Sequence, residues 1–420
     1  MNLPYFTATD PLLQRSGVSR DPLGLQPVWS AFGRALVPNL ATPVQQVNGV
    51  KGVLLIYWLA EGPLKDLLQT HSDLRGYFRL LEGLLEYFLW ESGKGHCFGT
   101  RALAAEETAF QVTREDGRTA VNGLYQYYRG SCRRAGLLAP DWRLSPVVGE
   151  ALSGCWSELA TKALRAALEE PLAKADKPLV PAKALDKAGL KEAFEQVFSG
   201  RPLADTLRTQ LLGVACYQDF AKRCAQYMTG ESAPAGGEDH GWVKRCVEAL
   251  LSSLHDVRGA AEALKEPLTH VSHCEPFLVA VQDSFDLMRG SPGATFGDLA
   301  QELSGLYPKV RNRAIDFLSL EGTGPAARME EILGLARAAL VGPGDFLDAV
   351  IRHHEASMAR RGAPLLLSAD GQRVTPLVAA ERSRNDVLKR IGDGFPWDNG
   401  YYLSTAGTIY GQLFGEVPHG

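Results

Sequence analysis

The stretch LRGYFRLLEGLLEYFLWESG, residues 74–93, constrains this chain more than any other. Apolar side chains recur at Tyr77, Phe78, Leu81, Leu84, Leu85 and Phe88, the spacing that gathers one broad buried face on a helix. Ser72 or Asp73 is placed to cap its start, and Gly93 to end it. A face that wide has to be covered, so the rest of the chain must supply a helical body around it. GVKGVLLIYWLAEG, the segments 205–226 and 242–264, TFGDLAQELSGLYPKVRNRAIDFLSLEG and GPGDFLDAVIRHHEASMARRG all carry helical patterning. A short helix at 29–36 is stopped by Pro38 and Pro43, because proline has no N–H and clashes with the preceding turn.

One hairpin stands out, APLLLSADGQRVTPLVA, where Asp370-Gly371 offers a tight turn between two β-rich arms. The expected fold class is therefore mainly α, a multi-domain helical protein with small β-hairpin elements. At 420 residues two or three domains are expected. The boundaries read as an N-terminal helical domain over 1–164, a connector at 165–204, a helical domain over 205–290 and a C-terminal domain over 291–420. The connector rests on EEPLAKADKPLVPAKALDKAGLKEAF, whose mix of Pro, Ala and charge reads as exposed chain with short helices.

Lys and Arg number 44 against 48 Asp and Glu, a formal charge of -4. That balance argues against a chain that coats nucleic acid or anionic membrane as a whole, while allowing a local basic face. The opening MNLPYFTATD lacks the basic and apolar regions of a signal peptide. The longest apolar run, 53–60, is far short of the roughly 20 residues that a spanning helix needs. Seven cysteines without a pairing pattern suit a reducing compartment. A cytoplasmic protein with no membrane partner follows as the expectation.

Among stretches that could carry chemistry, NGLYQYYRGSCRRAGLLAPDWRLSPVVGEALSGCW, residues 122–156, is the richest. A basic helix with Tyr125, Tyr128, Arg129, Arg133 and Arg134 runs into Gly136-Leu137-Leu138. A short extended piece at 142–144 follows, and Ser145-Pro146 then opens a further helix. This order resembles the late part of a winged helix-turn-helix domain, although the wing is short. The resemblance implies a winged-helix-like part near 100–160 and a nucleic-acid contact through Arg129, Arg133 and Arg134. The alternative is that the tyrosines pack in a core and the arginines face solvent.

The C-terminal hairpin, near 364–379, repeats the pattern of helix, wing and helix. Arg360, Arg361, Arg373, Arg382, Arg384, Lys389 and Arg390 make that region locally basic. A phosphate-binding face is one reading, and a solvated charged face is the other.

THVSHCEP places His270 and His273 one helical turn apart, with Cys274 adjacent. These are the candidate metal ligands, but no CxxC or HExxH pattern accompanies them. No metal and no cofactor is therefore expected. His353-His354-Glu355 reads as a helix-surface cluster near Arg352, since adjacent helical residues point about 100° apart. SGKGHCFGTR, residues 92–101, lacks the preceding strand of a phosphate loop. It reads as a helix–helix junction in which Thr100 caps the next helix, with Lys94, His96 and Arg101 left to line a groove. Cys97 beside His96 lacks the context of an activated nucleophile, and no GxSxG elbow occurs.

The opening DPLGLQPVWSAFGRALVPNLATPVQQVNGVKGVLLIYWLAEG resembles that of uncharacterised proteins encoded beside bacterial anti-phage systems. Leu23-Gly24, Phe32, Leu36, Pro38 and Tyr57-Trp58 carry the likeness. It implies a component of a multi-protein defence system without assigned catalysis. The function expected is a non-catalytic adaptor or nucleic-acid-associated subunit of such an assembly. Its partners would be other protein subunits, with DNA or RNA as a further ligand. The alternative is an enzyme of unassigned class using the His96/Cys97 loop or His270, His273 and Cys274.

Overall fold

Residues 74–91 form a helix, Leu74–Glu91, and its buried positions include the six apolar side chains that the periodicity selects. Glu91 is its last residue because Gly93 turns left-handed at φ 66°. The Gly93 and Lys94 N–H groups then close back on the Trp90 and Leu89 carbonyls. In this computed structural model the described residues are 21–40, 44, 46–71, 74–95, 97, 109–111, 123–174, 179–187, 189–213, 215–229, 241–254, 262–324, 326–371 and 373–415. Caps at Ser72 or Asp73, the Thr100 cap, and the groove candidates His96 and Arg101 lie outside them. The chain is mainly α, with two short antiparallel strand pairs among the described residues. No helix among the described residues is long and apolar enough to cross a membrane.

The backbone divides into two compact units, each built from two stretches of chain. One comprises residues 37–231 and 402–420, the other 1–36 and 232–401.

In the first unit the helix Val47–Glu61 is buried along almost its whole length, Lys51 included. It packs against Leu74–Glu91, Pro146–Cys155, Leu190–Ser199 and Leu403–Phe414. Lys51 is tolerated there because its Nζ donates to the Phe198 carbonyl at 2.5 Å, in the last turn of Leu190–Ser199. Burial pulls its pKa down to about 8, with Cys155 acting in the opposite direction. The stretch expected as a connector carries the second half of helix Glu158–Lys174 and helix Leu190–Ser199, and Leu168, Leu172, Phe194 and Val197 are buried. The helix expected across 205–226 is two, Arg201–Leu212 and Ala215–Thr229, divided at Gly213 with φ 63°. Ala215–Thr229 lies closely along Leu403–Phe414. A Cβ at Gly407 would sit 2.6 Å from Met228 Sδ and 2.8 Å from Ala225 N.

The second unit is organised on one helix, Glu262–Arg289, which runs through Pro267 and Pro276. The helix expected across 242–264 is not continuous. The chain forms Gly241–Ser253 and then starts afresh at Glu262. Around it pack Gln26–Leu36, Tyr307–Leu318, Pro343–Arg361 and Arg384–Gly392. The C-terminal hairpin forms as expected, Leu367–Asp370 against Arg373–Pro376, with Gly371 left-handed at φ 63° in its turn.

His353 and His354 correct the expectation of a surface cluster, because both are buried. His354 accepts the Leu366 N–H at Nε2 (3.1 Å), which leaves its Nδ1 to donate to the Pro22 carbonyl at 3.0 Å. His353 Nε2 lies 2.6 Å from the Leu23 carbonyl. Burial lowers the pKa of both rings, against the pull of those carbonyls. The two imidazoles thus pin the segment that leads into Gln26–Leu36.

Candidate functional site

The basic stretch at 122–136 does not form one long helix. It makes two short ones, Leu124–Tyr127 and Arg129–Arg134, meeting at Tyr128. Tyr128 is core: it is buried and donates its hydroxyl to the Cys97 carbonyl at 3.1 Å. A Cβ at Gly49 would meet its ring at 2.3 Å, so the glycine is what lets the Val47–Glu61 backbone pass.

Tyr125 and Arg129, by contrast, reach outward. The Arg129 guanidinium lies 3.9 Å from the Tyr125 ring centroid and 4.1 Å from that of Trp142. Arg133 stands 4.7 Å from the Trp142 ring and Arg75 5.2 Å from Tyr125. The result is a stacked ladder of three arginines and two aromatic rings. Arg75 and Arg133 are exposed and Arg129 is half-buried. Each such contact contributes about 0.5–1 kcal/mol at an exposed site, which suffices to hold long side chains in register.

Trp142 corrects the expectation of an extended piece at 142–144. Its backbone is left-handed, φ 69°, a conformation that costs a bulky residue roughly 1–3 kcal/mol. A tight turn sets it there: Trp142 N–H donates to the Ala139 carbonyl at 2.9 Å and Ala139 N–H to Arg143 at 2.7 Å. Beyond it, among the described residues, the single bridge Leu138↔Leu144 stands where a wing was expected. The strain is offset by the two arginines stacked on the indole.

Among the described residues no carboxylate forms an ion pair with Arg75, Arg129 or Arg133. Arg143 is 81% exposed and stands 3.5 Å from Asp141. Glu61 borders the turn and accepts the Leu144 N–H at 3.1 Å; burial raises its pKa, and that bond opposes the rise. Burial pushes the Tyr57 hydroxyl up to about 12, with Arg129 pulling it back. Arg134 turns away from the ladder and donates to the Pro38 carbonyl and to Ser131 Oγ.

The C-terminal arginines are spent differently. Arg360 pairs with Glu331 at 2.9 Å, Arg361 with Asp21 at 3.2 Å and Arg384 with Glu302 at 2.6 Å. Arg373 donates to the Gly293 carbonyl. Arg390 bridges Asp283 (2.9 Å) and Asp398 (2.7 Å), and Arg382 stands between Asp283, Asp286 and Asp398. Lys389 is exposed. The basic excess of this segment is thus largely taken up by carboxylates from distant parts of the chain.

Two of those carboxylates, Asp283 and Asp286, lie on the long helix, and with Glu275 they form one acidic stripe at helical spacing. Sequence reading passed over them, since isolated acids on a helix look like a solvated face. Glu275 accepts four hydrogen bonds, from the Asp398 and Asn399 N–H groups, Asn399 Nδ2 and Tyr401 Oη, at 2.7–2.8 Å. Burial pushes its carboxyl up to about 7, with those donors opposing. Asp283 is also pushed up to about 7 by burial, against the Arg390 charge, and its Oδ2 has no hydrogen-bond partner among the described residues.

The remaining candidates are dispersed. Lys94 pairs with Glu195 at 2.6 Å. Cys97 is fully buried; burial, with Glu86 and Glu82, pushes its thiol well up, which removes the thiolate a nucleophile needs. His270 stacks edge-on against Phe32, His273 Nδ1 lies 2.9 Å from Ser319 Oγ, and Cys274 is buried. Among the described residues no group of three or more His, Cys, Asp or Glu is placed to hold a metal ion. No protein-family model matches the chain, and neither curated proteins nor solved structures give a match.

Proposed function

We propose that the protein is a non-catalytic, nucleic-acid-associated subunit of a bacterial multi-protein assembly of the anti-phage kind, acting in the cytoplasm. The observation that carries the nucleic-acid part is the Arg75–Tyr125–Arg129–Trp142–Arg133 ladder. Stacking fixes the planes of three guanidinium groups and leaves their N–H edges for phosphate oxygens. Tyr125 and Trp142 flank the Arg129 guanidinium and each takes one face of an end arginine, so the N–H edges are offered first to the nucleic-acid backbone. The turn that holds Trp142 left-handed supports the reading, since backbone strain of that kind persists where a side chain must be presented.

Titration of the full-length protein with labelled single-stranded and duplex DNA at two salt concentrations tests this. Binding that weakens steeply with salt is expected, and no binding at low salt removes the reading. The adaptor part predicts that affinity capture from the native host recovers stoichiometric partner subunits. Recovery of the protein alone counts against it.

A further inference from the structure

Where helix Arg201–Leu212 ends, a cavity of about 180 Å³ lies between the turn at 37–39, the first half of Ala215–Thr229 and the helix Leu403–Phe414. The chain leaves this space because Gly213, left-handed at φ 63°, separates the first two helices. Ala221 and Ala406 then present only a methyl group to it. Its walls are otherwise the buried side chains of Leu211, Leu212 and Phe220. Pro38 and Gly213 are the exposed members of its lining, which puts the opening between them. A cavity of about 150 Å³ with walls of this kind stays dry and takes one benzene ring.

Two polar side chains border it. Asn39 is fixed by its Nδ2, which donates to the Gln210 and Leu211 carbonyls at 3.2 and 3.3 Å, in the last turn of Arg201–Leu212. Two carbonyl partners settle which end of that amide carries the nitrogen. The Pro38 carbonyl accepts from Arg134 at 3.2 Å, so the turn is pinned at two successive residues. Among the described residues nothing donates to Asn39 Oδ1, which remains an acceptor. Tyr217 is half-buried and meets Phe220 edge-to-face at 6.5 Å and 81°. Burial raises the pKa of its hydroxyl, which therefore stays a neutral O–H. None of the described residues in the lining is charged.

Each property narrows the ligand. Walls without charge exclude an ion, since a buried charge without a partner costs more than apolar contact offsets. The volume admits one ring with a small substituent and leaves no room for a peptide backbone. The Tyr217–Phe220 pair favours an aromatic ring, which can meet either face or edge. An acceptor oxygen at the border calls for one donor. We propose that this cavity binds a small neutral phenol, its ring among Leu211, Leu212 and Phe220 and its hydroxyl donating to Asn39 Oδ1. The inference stands on residues separate from the arginine ladder and does not depend on it.

Calorimetric titration of the full-length protein with p-cresol, toluene and p-toluate tests the proposal, since the three share a ring and differ in the polar group. p-Cresol is expected to bind about fivefold more tightly than toluene, and p-toluate not at all. A cavity that left the hydroxyl unpaired would reverse the first order. Asn39→Ala removes the acceptor and is expected to produce that reversal. Ala221→Met fills the space and is expected to weaken p-cresol at least tenfold, with melting transitions that show both variants folded. N-acetyltyrosinamide carries the same phenol on a peptide backbone and is expected to bind more weakly than p-cresol. No heat from p-cresol at millimolar concentration, equal or tighter binding of toluene, equal binding of N-acetyltyrosinamide, or a folded Ala221→Met protein with unchanged affinity overturns the proposal.

Discussion

Tyr401 donates its phenolic hydrogen to Glu275 at 2.7 Å, across 126 residues of sequence. Glu275 is the acceptor on which the 398–401 segment is hung, and the arrangement has a direct energetic consequence. Glu275→Gln replaces one acceptor oxygen by an NH2 that faces donors. It is expected to lower unfolding free energy by about 2–3 kcal/mol, the cost of a buried group left against the wrong partner. Tyr401→Phe removes one donor of four and is expected to cost less, about 1–2 kcal/mol. Urea denaturation of the two variants checks the order.

Asp283 supplies the pH dependence. Its folded-state pKa, about 7, is raised above the ordinary carboxylate value by burial. The folded chain therefore holds its proton more tightly than the unfolded one. That contribution is fully present below about pH 4 and is lost as pH rises through about 7. Asp283→Asn removes the titration and keeps the shape. Measured by urea denaturation at several pH values, the variant should gain on the parent between pH 4 and 7.5. A constant difference across that range counts against the assignment.

The contact of Ala215–Thr229 with Leu403–Phe414 depends on Gly407. Glycine to alanine inside a helix ordinarily stabilises by about 1 kcal/mol. Here the new Cβ would meet Met228 Sδ at 2.6 Å, Ala225 N at 2.8 Å and Cys224 C at 3.0 Å, two of them backbone atoms. Overpacking of this kind costs about 1–3 kcal/mol. Gly407→Ala is expected to lower the melting temperature, where an exposed helical glycine would raise it.

The helices with regular apolar spacing, such as Leu74–Glu91 and Pro343–Arg361, were legible because their buried face is written at a fixed interval. Glu262–Arg289 was not: it contains Pro267 and Pro276, and an internal proline is a break signal in sequence. A proline inside a helix costs about 3 kcal/mol. Burial of Leu268, Val271, Phe277, Leu278, Val281, Phe285, Leu287 and Met288 exceeds that, at about 1.5–3 kcal/mol for each large side chain. Tertiary packing thus decided the element. The same limit applies to charge. Arg390 looked available in sequence, and its partner Asp283 lies 107 residues away. Arg129 and Arg133 were legible as candidates, whereas the left-handed turn that brings Trp142 onto them had no local signal. Glycine or asparagine is the usual mark of that conformation.

The ladder is tested most directly by the salt dependence of binding to a fluorescein-labelled oligothymidylate. The parent protein is expected to lose affinity linearly in log–log form as salt rises. Arg129→Gln with Arg133→Gln should weaken binding at low salt and flatten the slope by about one for each arginine removed, with the melting transition retained. A slope unchanged in the folded double variant, or a parent protein that binds no strand at low salt, contradicts the account.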